Sequence, residues 1–442
     1  MSENDFIMKL FIPNLRKIVN EYEIKYDRDD IVTSNNKLAE KLFDAACELI
    51  IKTGVYCSDT NRVIRFDQDD ILEAVNNYPK ESVFGEGRDR RVFRSRKPYD
   101  DKSPWCFVGG GITASSEEIA MAQVEGYGNI PFAYSISIPP IGNIKGMSII
   151  NGSPLEIYAT IASVQAGRKT LLKSGRSGLP IMNLISSATS ATSTISGSHP
   201  NFGLRQSDGW LIDFIAEFKV DFETFNKLAF ILSIGGNVGS TAIPILGGYA
   251  GGPEGTAVIM VAYYLLGIIL FRGTYHLTCP VHFRFGCSST RECLCVYSIA
   301  KRAISQHLQY PDIGNGYASA GSGIKMYYYE SACVNLCCVV SGYGGVETVH
   351  PAKGILIDGI TPLDARFNAE IAHASAYIKE DKANEIAQKL LSEYENDIEH
   401  APKGKRYQEC YDVNTGKPYD EYVVLFNKMK ESLVKIGIPF GK

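Results

Sequence analysis

Between residues 105 and 375 at least five apolar, β-rich runs alternate with helical patterns, and this alternation predicts an α/β fold. The runs are apolar throughout, not alternately polar, so each strand should be covered on both faces, as in a parallel sheet. Polar, glycine-rich turns follow several runs, which with their number and span favours a (β/α)8 barrel of the TIM type over an open doubly wound sheet.

The chain opens on helices. From Asn36 to Lys52 the residues Leu38, Leu42, Ala45, Ala46, Leu49 and Ile50 recur three and four apart, the spacing of an amphipathic helix. A second helix over Gln68 to Asn77 carries Asp69 and Asp70 where the positive end of its dipole favours acids. From there to about Gly111 the chain is rich in charge, Gly and Pro and reads as an irregular excursion. Its basic run, Arg88 to Lys97, is followed at once by Asp100 and Asp101 and reads as a solvated loop or ion-pair network.

Strands are expected at PFAYSISI (131–138), GLPIMNLIS (178–186), TAIPILGG (241–248), YHLTCPVHFRFG (275–286) and GILIDG (354–359). Helices are expected at Pro154–Ala166, Trp210–Phe218, Phe222–Leu232, Gly255–Phe271, Ser289–Gln306 and Ala365–Ala376. GRSGLPIMNLISSATSATSTISGS, Gly175 to Ser198, begins as a strand and dissolves into Ser, Thr and Ala, as a linker or a loop over a barrel mouth would. The uncharged stretch Thr256 to Phe271 is only sixteen residues long, and a membrane span needs about 20, so it reads as a buried helix. Charged helices return from Lys379 to Lys442. The expected organisation over 1–442 is one barrel domain: a helical extension (1–104), the barrel (105–376) and a helical appendix (377–442).

The 442 residues are 45% hydrophobic and 21% charged with a net charge of -4, so no global basic field exists to hold nucleic acid or an anionic membrane. The N-terminal MSENDFIMKLFIPNLRK lacks the basic and long apolar regions of a signal peptide, so the expected location is cytoplasmic. Eleven cysteines, an odd number mostly in apolar contexts, read as reduced core residues and not as a disulfide framework.

His276, Cys279 and His282 in HLTCPVH bring metal-ligating types close together. In an extended chain His276 and His282 share a face that Cys279 does not, so one ion reaches all three only through a turn at Pro280, and no metal site is expected. GGYAGGPEG (247–255) lacks the Walker ending and the G-x-G-x-x-G opening, and reads as a tight loop at the mouth. Asn315-Gly316-Tyr317 and SGYGGVETVHPAKG (341–354) are further polar turns of the kind that line a barrel's active face. No G-x-S-x-G, H-E-x-x-H, C-x-x-C or kinase set is present, so the residues alone imply a polar-mouthed barrel without assigning a reaction.

Ten segments in matching order nevertheless carry a resemblance. GVYCSDTNRV (54–63), GEGRD (85–89), GRSG (175–178), GGYAGG (247–252), HLTCPVHFRFG (276–286), STRE (289–292), GNGYASAG (314–321), AKG (352–354), LDARFNAEIA (363–372) and GKRYQECYDV (404–413) are similar to those of the corrinoid-dependent monomethylamine methyltransferases of methanogens. The resemblance implies a (β/α)8 barrel, a homo-oligomer (hexameric in the family), and methyl transfer from a small methylated substrate to Co(I) of a corrinoid carried by a partner protein. The family keeps a pyrrolysine after a G-R-P-G-M-G-V-like run, which here reads Gly175 to Ile181, and the next residue is Met182. A thioether can neither form an adduct with an amine nor bond it strongly.

By the same resemblance the family's glutamate three residues further on falls on Ile185, its later-loop glutamine on Gly316, and two acidic positions near Thr241 and Leu211. Met182, Ile185, Leu211, Thr241, Gly316 and Tyr317 are therefore expected to line the substrate site. Tyr249, Gly251 and Asn315 are expected to face the corrinoid, and His276, His282 and Glu292 to supply acid–base chemistry. A quaternary ammonium held by cation–π contact with Tyr249, Tyr275, Tyr317 and Tyr327 to Tyr329 would need no imine. A zinc-assisted methyltransferase using His276, Cys279 and His282, and a non-catalytic ligand-binding barrel, remain as alternatives.

Overall fold

The computed structural model of the chain describes residues 1–182, 190–199, 201 and 203–441. Eight parallel strands close into a barrel: β1 (Trp105–Val108), β2 (Ser135–Ile136), β3 (181–182), β4 (Gly209–Asp213), β5 (Asn237–Ala242), β6 (Tyr275–Thr278), β7 (Asp312–Gly314) and β8 (Gly345–Glu347). Seven of them hydrogen-bond as one sheet running from β2 through β1 and β8 to β4, and residues 181–182 bridge its two edges. Met182 donates its N–H to the Ile136 carbonyl at 2.9 Å, and Gly209 donates to the Ile181 carbonyl at 3.0 Å.

One helix follows each strand: α1 (Glu117–Gly128), α2 (Pro154–Lys173), α3 (Ala191–Ser196), α4 (Phe222–Ser233), α5 (Pro253–Ile269), α6 (Arg291–His307), α7 (Lys325–Val340) and α8 (Pro362–Ser375). Their starts are written locally: the side chains of Ser116, Ser153, Asp221, Thr290 and Thr361 each accept a first-turn backbone N–H. α5 takes in most of the uncharged stretch, buried because it packs against the Asn36–Thr53 helix as well as α6. Among the described residues no helix is long and apolar enough to cross a membrane.

Several sequence expectations change. Trp210–Phe218 is not a helix but contains β4, and the β8 strand lies in GVE, inside a segment that reads as a turn. GILIDG is not a strand: a 3-10 turn over Pro351–Gly354 takes in its first residue, Ile355 and Ile357 are exposed, and the Asp358 carboxylate accepts the Ser115 N–H and hydroxyl, each at 2.7 Å. Of TAIPILGG only the first residues belong to the barrel, and Ile245–Leu246 pairs instead with Val281–His282.

The segment read as an irregular excursion is a structural device. Strands Glu81–Phe84 and Arg91–Arg94 form an antiparallel hairpin that sends Phe84 and Phe93 into the N-terminal end of the barrel. Phe84 meets Trp105 at 5.6 Å and Tyr275 edge-on at 5.4 Å between ring centres, and Phe93 meets Trp105 at 5.1 Å. Gly239 and Gly209 make room for the Tyr275 ring, since a Cβ on either would stand 2.3 or 2.6 Å from it.

The hairpin is locked to the barrel by two of the motifs. The Asp89 carboxylate accepts from Arg176 Nε at 2.7 Å, and Glu86 donates its N–H to the Gly178 carbonyl at 2.9 Å. A Cβ on Gly178 would stand 2.0 Å from the Glu86 carbonyl oxygen, so only glycine lets the two segments meet. GEGRD and GRSG thus close the end of the barrel remote from any mouth chemistry. Truncation of Phe84 to Ala should destabilise the fold by about 3–5 kcal/mol in denaturant unfolding, because nothing nearby can collapse into the closed barrel end.

Candidate active site

Side chains on a strand alternate between the barrel interior and the helix layer, so register decides what meets in the lumen. Phe107, Met182, Leu211, Leu277 and Ile313 form an apolar layer above the aromatic plug. Two residues beyond Leu211 on the same face comes Asp213, which stands opposite Thr241 in the β4–β5 register. Glu347, at the end of β8 and in register with Phe107, enters from the far side of the barrel. A polar ring therefore lies on an apolar floor at the C-terminal strand ends.

This ring is short of hydrogen bonds. Among the described residues Asp213 Oδ2 and Thr241 Oγ1 are buried without a partner. Burial pushes the Asp213 carboxyl up to about 6, against a downward pull from Lys227. Glu347 is 4% exposed and burial raises its carboxyl well above the usual range. Among the described residues its contact with an ionisable partner is His350 Nε2, 3.8 Å from Oε1.

His350 is held from three sides. Its Nε2 accepts the Gly111 N–H at 3.2 Å, its Nδ1 lies 3.2 Å from Asn315 Oδ1 and 3.3 Å from the Gly316 carbonyl, and its ring stacks on Tyr317 at 4.9 Å. This network assigns the neutral tautomer with the proton on Nδ1. Burial lowers its pKa to about 4, which agrees with that assignment. Tyr317 keeps its phenolic proton, since burial and then the nearby Cys279, Glu347 and Asp213 raise it well above its ordinary value.

The structure distributes the expected site residues unevenly. Met182 is fully buried in the apolar floor, Leu211 lies beside it at 9% exposure, and Thr241 stands in the polar ring. Ile185 lies outside the described residues. Gly316 faces α7: a Cβ there would meet Val334 at 2.9 Å, so no glutamine projects into the lumen from this position. Tyr317 and Asn315 act on His350, while Tyr249 and Gly251 are exposed on the loop before α5.

Three expectations are corrected. His276 points outward: its Nδ1 pairs with Ser240 Oγ at 2.7 Å, its ring packs on Tyr264 of α5, and burial lowers its pKa to about 3, so it does not reach the lumen. His282 sits half-buried beyond β6, where Nδ1 accepts the Arg284 N–H at 3.2 Å; Glu292, in the first turn of α6, is its electrostatic neighbour. Neither has a contact with Asp213, Thr241 or Glu347 among the described residues, and no three His, Cys, Asp or Glu side chains there converge as a metal site. The tyrosine cage does not assemble either, because Tyr275 belongs to the aromatic plug beneath the floor and Tyr327 and Tyr328 are buried in α7.

Asp213, Glu347 and His350 escaped the sequence reading. Their signal was positional, since each ends or directly follows a barrel strand, where active groups on this fold gather. In ¹⁵N-histidine NMR, His276 and His350 should stay neutral down to about pH 5, and an ordinary midpoint for either would show that water reaches its ring.

Comparison with known proteins agrees over almost the whole chain. The family model described as monomethylamine methyltransferase MtmB matches residues 1–438. The chain is 32% identical over 428 residues to MtmB1 of Methanosarcina barkeri and 31% identical over 425 residues to MtmB2 of Methanosarcina acetivorans, in each case covering 95% of this chain and 92% of the relative. The crystal structure of the Methanosarcina barkeri monomethylamine methyltransferase superposes with a TM-score of 0.96 at 28% identity, covering 100% of this chain and 96% of the other, and that of the hydroxylamine MtmB complex does so equally.

Proposed function

Since the chain belongs to the monomethylamine methyltransferase family, we propose that it moves a methyl group from a small methylated amine to a corrinoid on a separate protein, and does so without pyrrolysine. The observation that carries this reading is the unpaired Asp213 and Thr241 oxygens on an apolar floor at the strand ends. Buried acceptors without donors favour a ligand that brings N–H groups. A quaternary ammonium has none, and the tyrosines that would hold one are elsewhere.

The Co(I) corrinoid supplies the nucleophile that takes the methyl group. What this chain supplies is position. The Asp213 carboxylate and Thr241 Oγ1 accept N–H bonds laterally and leave the C–N bond along the barrel axis. Met182 and Leu211 fill the space beneath, so the methyl group has room only toward the mouth. As the C–N bond breaks, its electron pair stays on nitrogen and the amine leaves neutral, with no acid required. No adduct with the protein forms, in keeping with a thioether at 182.

The mouth suits a large visiting group. Ile215, Tyr249, Phe283, Ile355 and Ile357, all on loops that follow strand ends, are exposed. The same reading takes the chain as a cytoplasmic homo-oligomer, a hexamer by resemblance, with one domain over 1–442 whose barrel spans 105–376.

The test is methyl transfer from methylammonium to a Co(I) corrinoid protein, followed by the corrinoid absorbance. Asp213→Asn should lower kcat/KM roughly 10- to 100-fold, the worth of one charge-assisted bond. Asp213 holds a cation only when ionised, so kcat/KM should fall as pH drops through about 6. Tight ligand binding with no turnover on any methylated compound would leave a non-catalytic barrel instead.

A further inference from the structure

Glu347 is not needed for one N–H to reach Asp213, yet it stands across the same lumen and, among the described residues, has no partner nearer than His350 Nε2 at 3.8 Å. Building on the methylated-amine reading, we propose that Asp213 and Glu347 form a carboxyl pair that gives up a proton in exchange for the substrate's cation. Glu347 thereby sets both the charge and the number of N–H bonds that a ligand must bring.

Geometry places the two groups on one space. β4 and β8 lie on opposite sides of an eight-stranded ring, both carboxyls face inward at the strand ends, and the Tyr317 hydroxyl feels both. The surroundings leave them unserved. His350 cannot donate to Glu347, because its Nε2 already accepts from Gly111 and its proton is on Nδ1. Tyr275 and Cys279, on the β6 side, stay neutral because burial raises both, as it does Tyr317. On the helix side Lys227 pulls on Asp213 and, among others, Asp221 and Glu223, but does not act on Glu347.

Burial with no donor among the described residues raises the Glu347 carboxyl on its own, so the empty site keeps one proton there. The directions agree: Asp213, near 6, is the member that ionises at neutral pH, and Glu347, pushed much higher, is the member that keeps its proton. When a monocation enters, its charge replaces that proton. The O–H bond of Glu347 breaks, the proton leaves to solvent, and the new carboxylate accepts an N–H from the ligand. The site ends with two carboxylates and one cation, the same net charge as before.

The exchange distinguishes this site from covalent capture, which would consume an amine and an imine without needing a second acid. It also ranks ligands. A primary methylammonium has a donor for each of Asp213, Thr241 and Glu347, whereas tetramethylammonium matches the charge and fills none of them.

The test is calorimetric titration of methylammonium chloride into the full-length protein near pH 7, in phosphate and in Tris, whose ionisation heats differ. Expected are release of about one proton per ligand, and for tetramethylammonium a tenfold or greater loss of affinity. Glu347→Gln should abolish the release and weaken binding tenfold or more, with thermal melting to verify its fold. The wild-type proton count decides the matter even if that variant does not fold.

Equal heats in both buffers, or an unchanged proton count in a folded Glu347→Gln protein, would overturn the pair. So would failure of methylammonium to bind, which leaves methyl transfer from another compound open. Proton release without turnover on a corrinoid protein would uphold the pair and sink the methyltransferase reading.

Discussion

Everything at the mouth depends on the hydrogen bonds that close the barrel at residues 181–182. Met182 N–H to the Ile136 carbonyl and Gly209 N–H to the Ile181 carbonyl join the two edges of a seven-stranded sheet. Main-chain bonds of this kind are individually modest, but a closed ring has no free edge to pair with another chain. Closure also fixes register. With side chains alternating every residue, it decides that Met182, Leu211 and Asp213 look inward and that His276 looks out.

The treatment of buried carboxyls separates support from chemistry. Behind the strands, Asp312 accepts from Lys301 Nζ at 2.6 Å, from Tyr264 at 2.8 Å and from the Gly344 N–H at 2.8 Å. Glu330 accepts from Ser289, from the hydroxyl and N–H of Ser319, and from the Ala320 N–H, which ties the loops after β6 and β7 together. Asp364 does the same for the C-terminal helix Asp420–Ile436 through Tyr422 at 2.7 Å. Each of these acids is supplied with donors as buried polar groups usually are. Asp213 and Glu347 are not, and they alone of these five face the lumen.

Much of the architecture was legible in the residues. Long amphipathic or uniformly apolar helices announced themselves, and Asn36–Thr53, Phe222–Ser233, Pro253–Ile269 and Arg291–His307 fall within a few residues of expectation. Short strands were harder for a physical reason. In Trp210 to Phe218 the residues Leu211, Phe214, Ile215 and Phe218 fall three, one and three apart, a helical spacing produced by a strand that runs into an irregular turn. GVE is a strand of three residues, one of them glycine, and has no period to detect, whereas the more apolar GILIDG is bound into a turn by Asp358. The site was half legible. Resemblance led to Thr241, Leu211 and Met182, but charged residue types in HLTCPVH drew attention to His276, whose direction depends on register alone.

The aromatic plug bears on traffic. Phe84 and Phe93 stop the N-terminal end of the barrel, and Met182 seals the floor above them, so the lumen opens on the face where the exposed rim residues gather. A small molecule and a large visitor must then share one doorway. Whatever occupies the rim becomes the roof over whatever lies beneath it, so a barrel with one doorway admits a small guest before a large one. A sequence of binding events of that kind follows from a hairpin at the opposite end of the molecule, about as far from the chemistry as the fold permits.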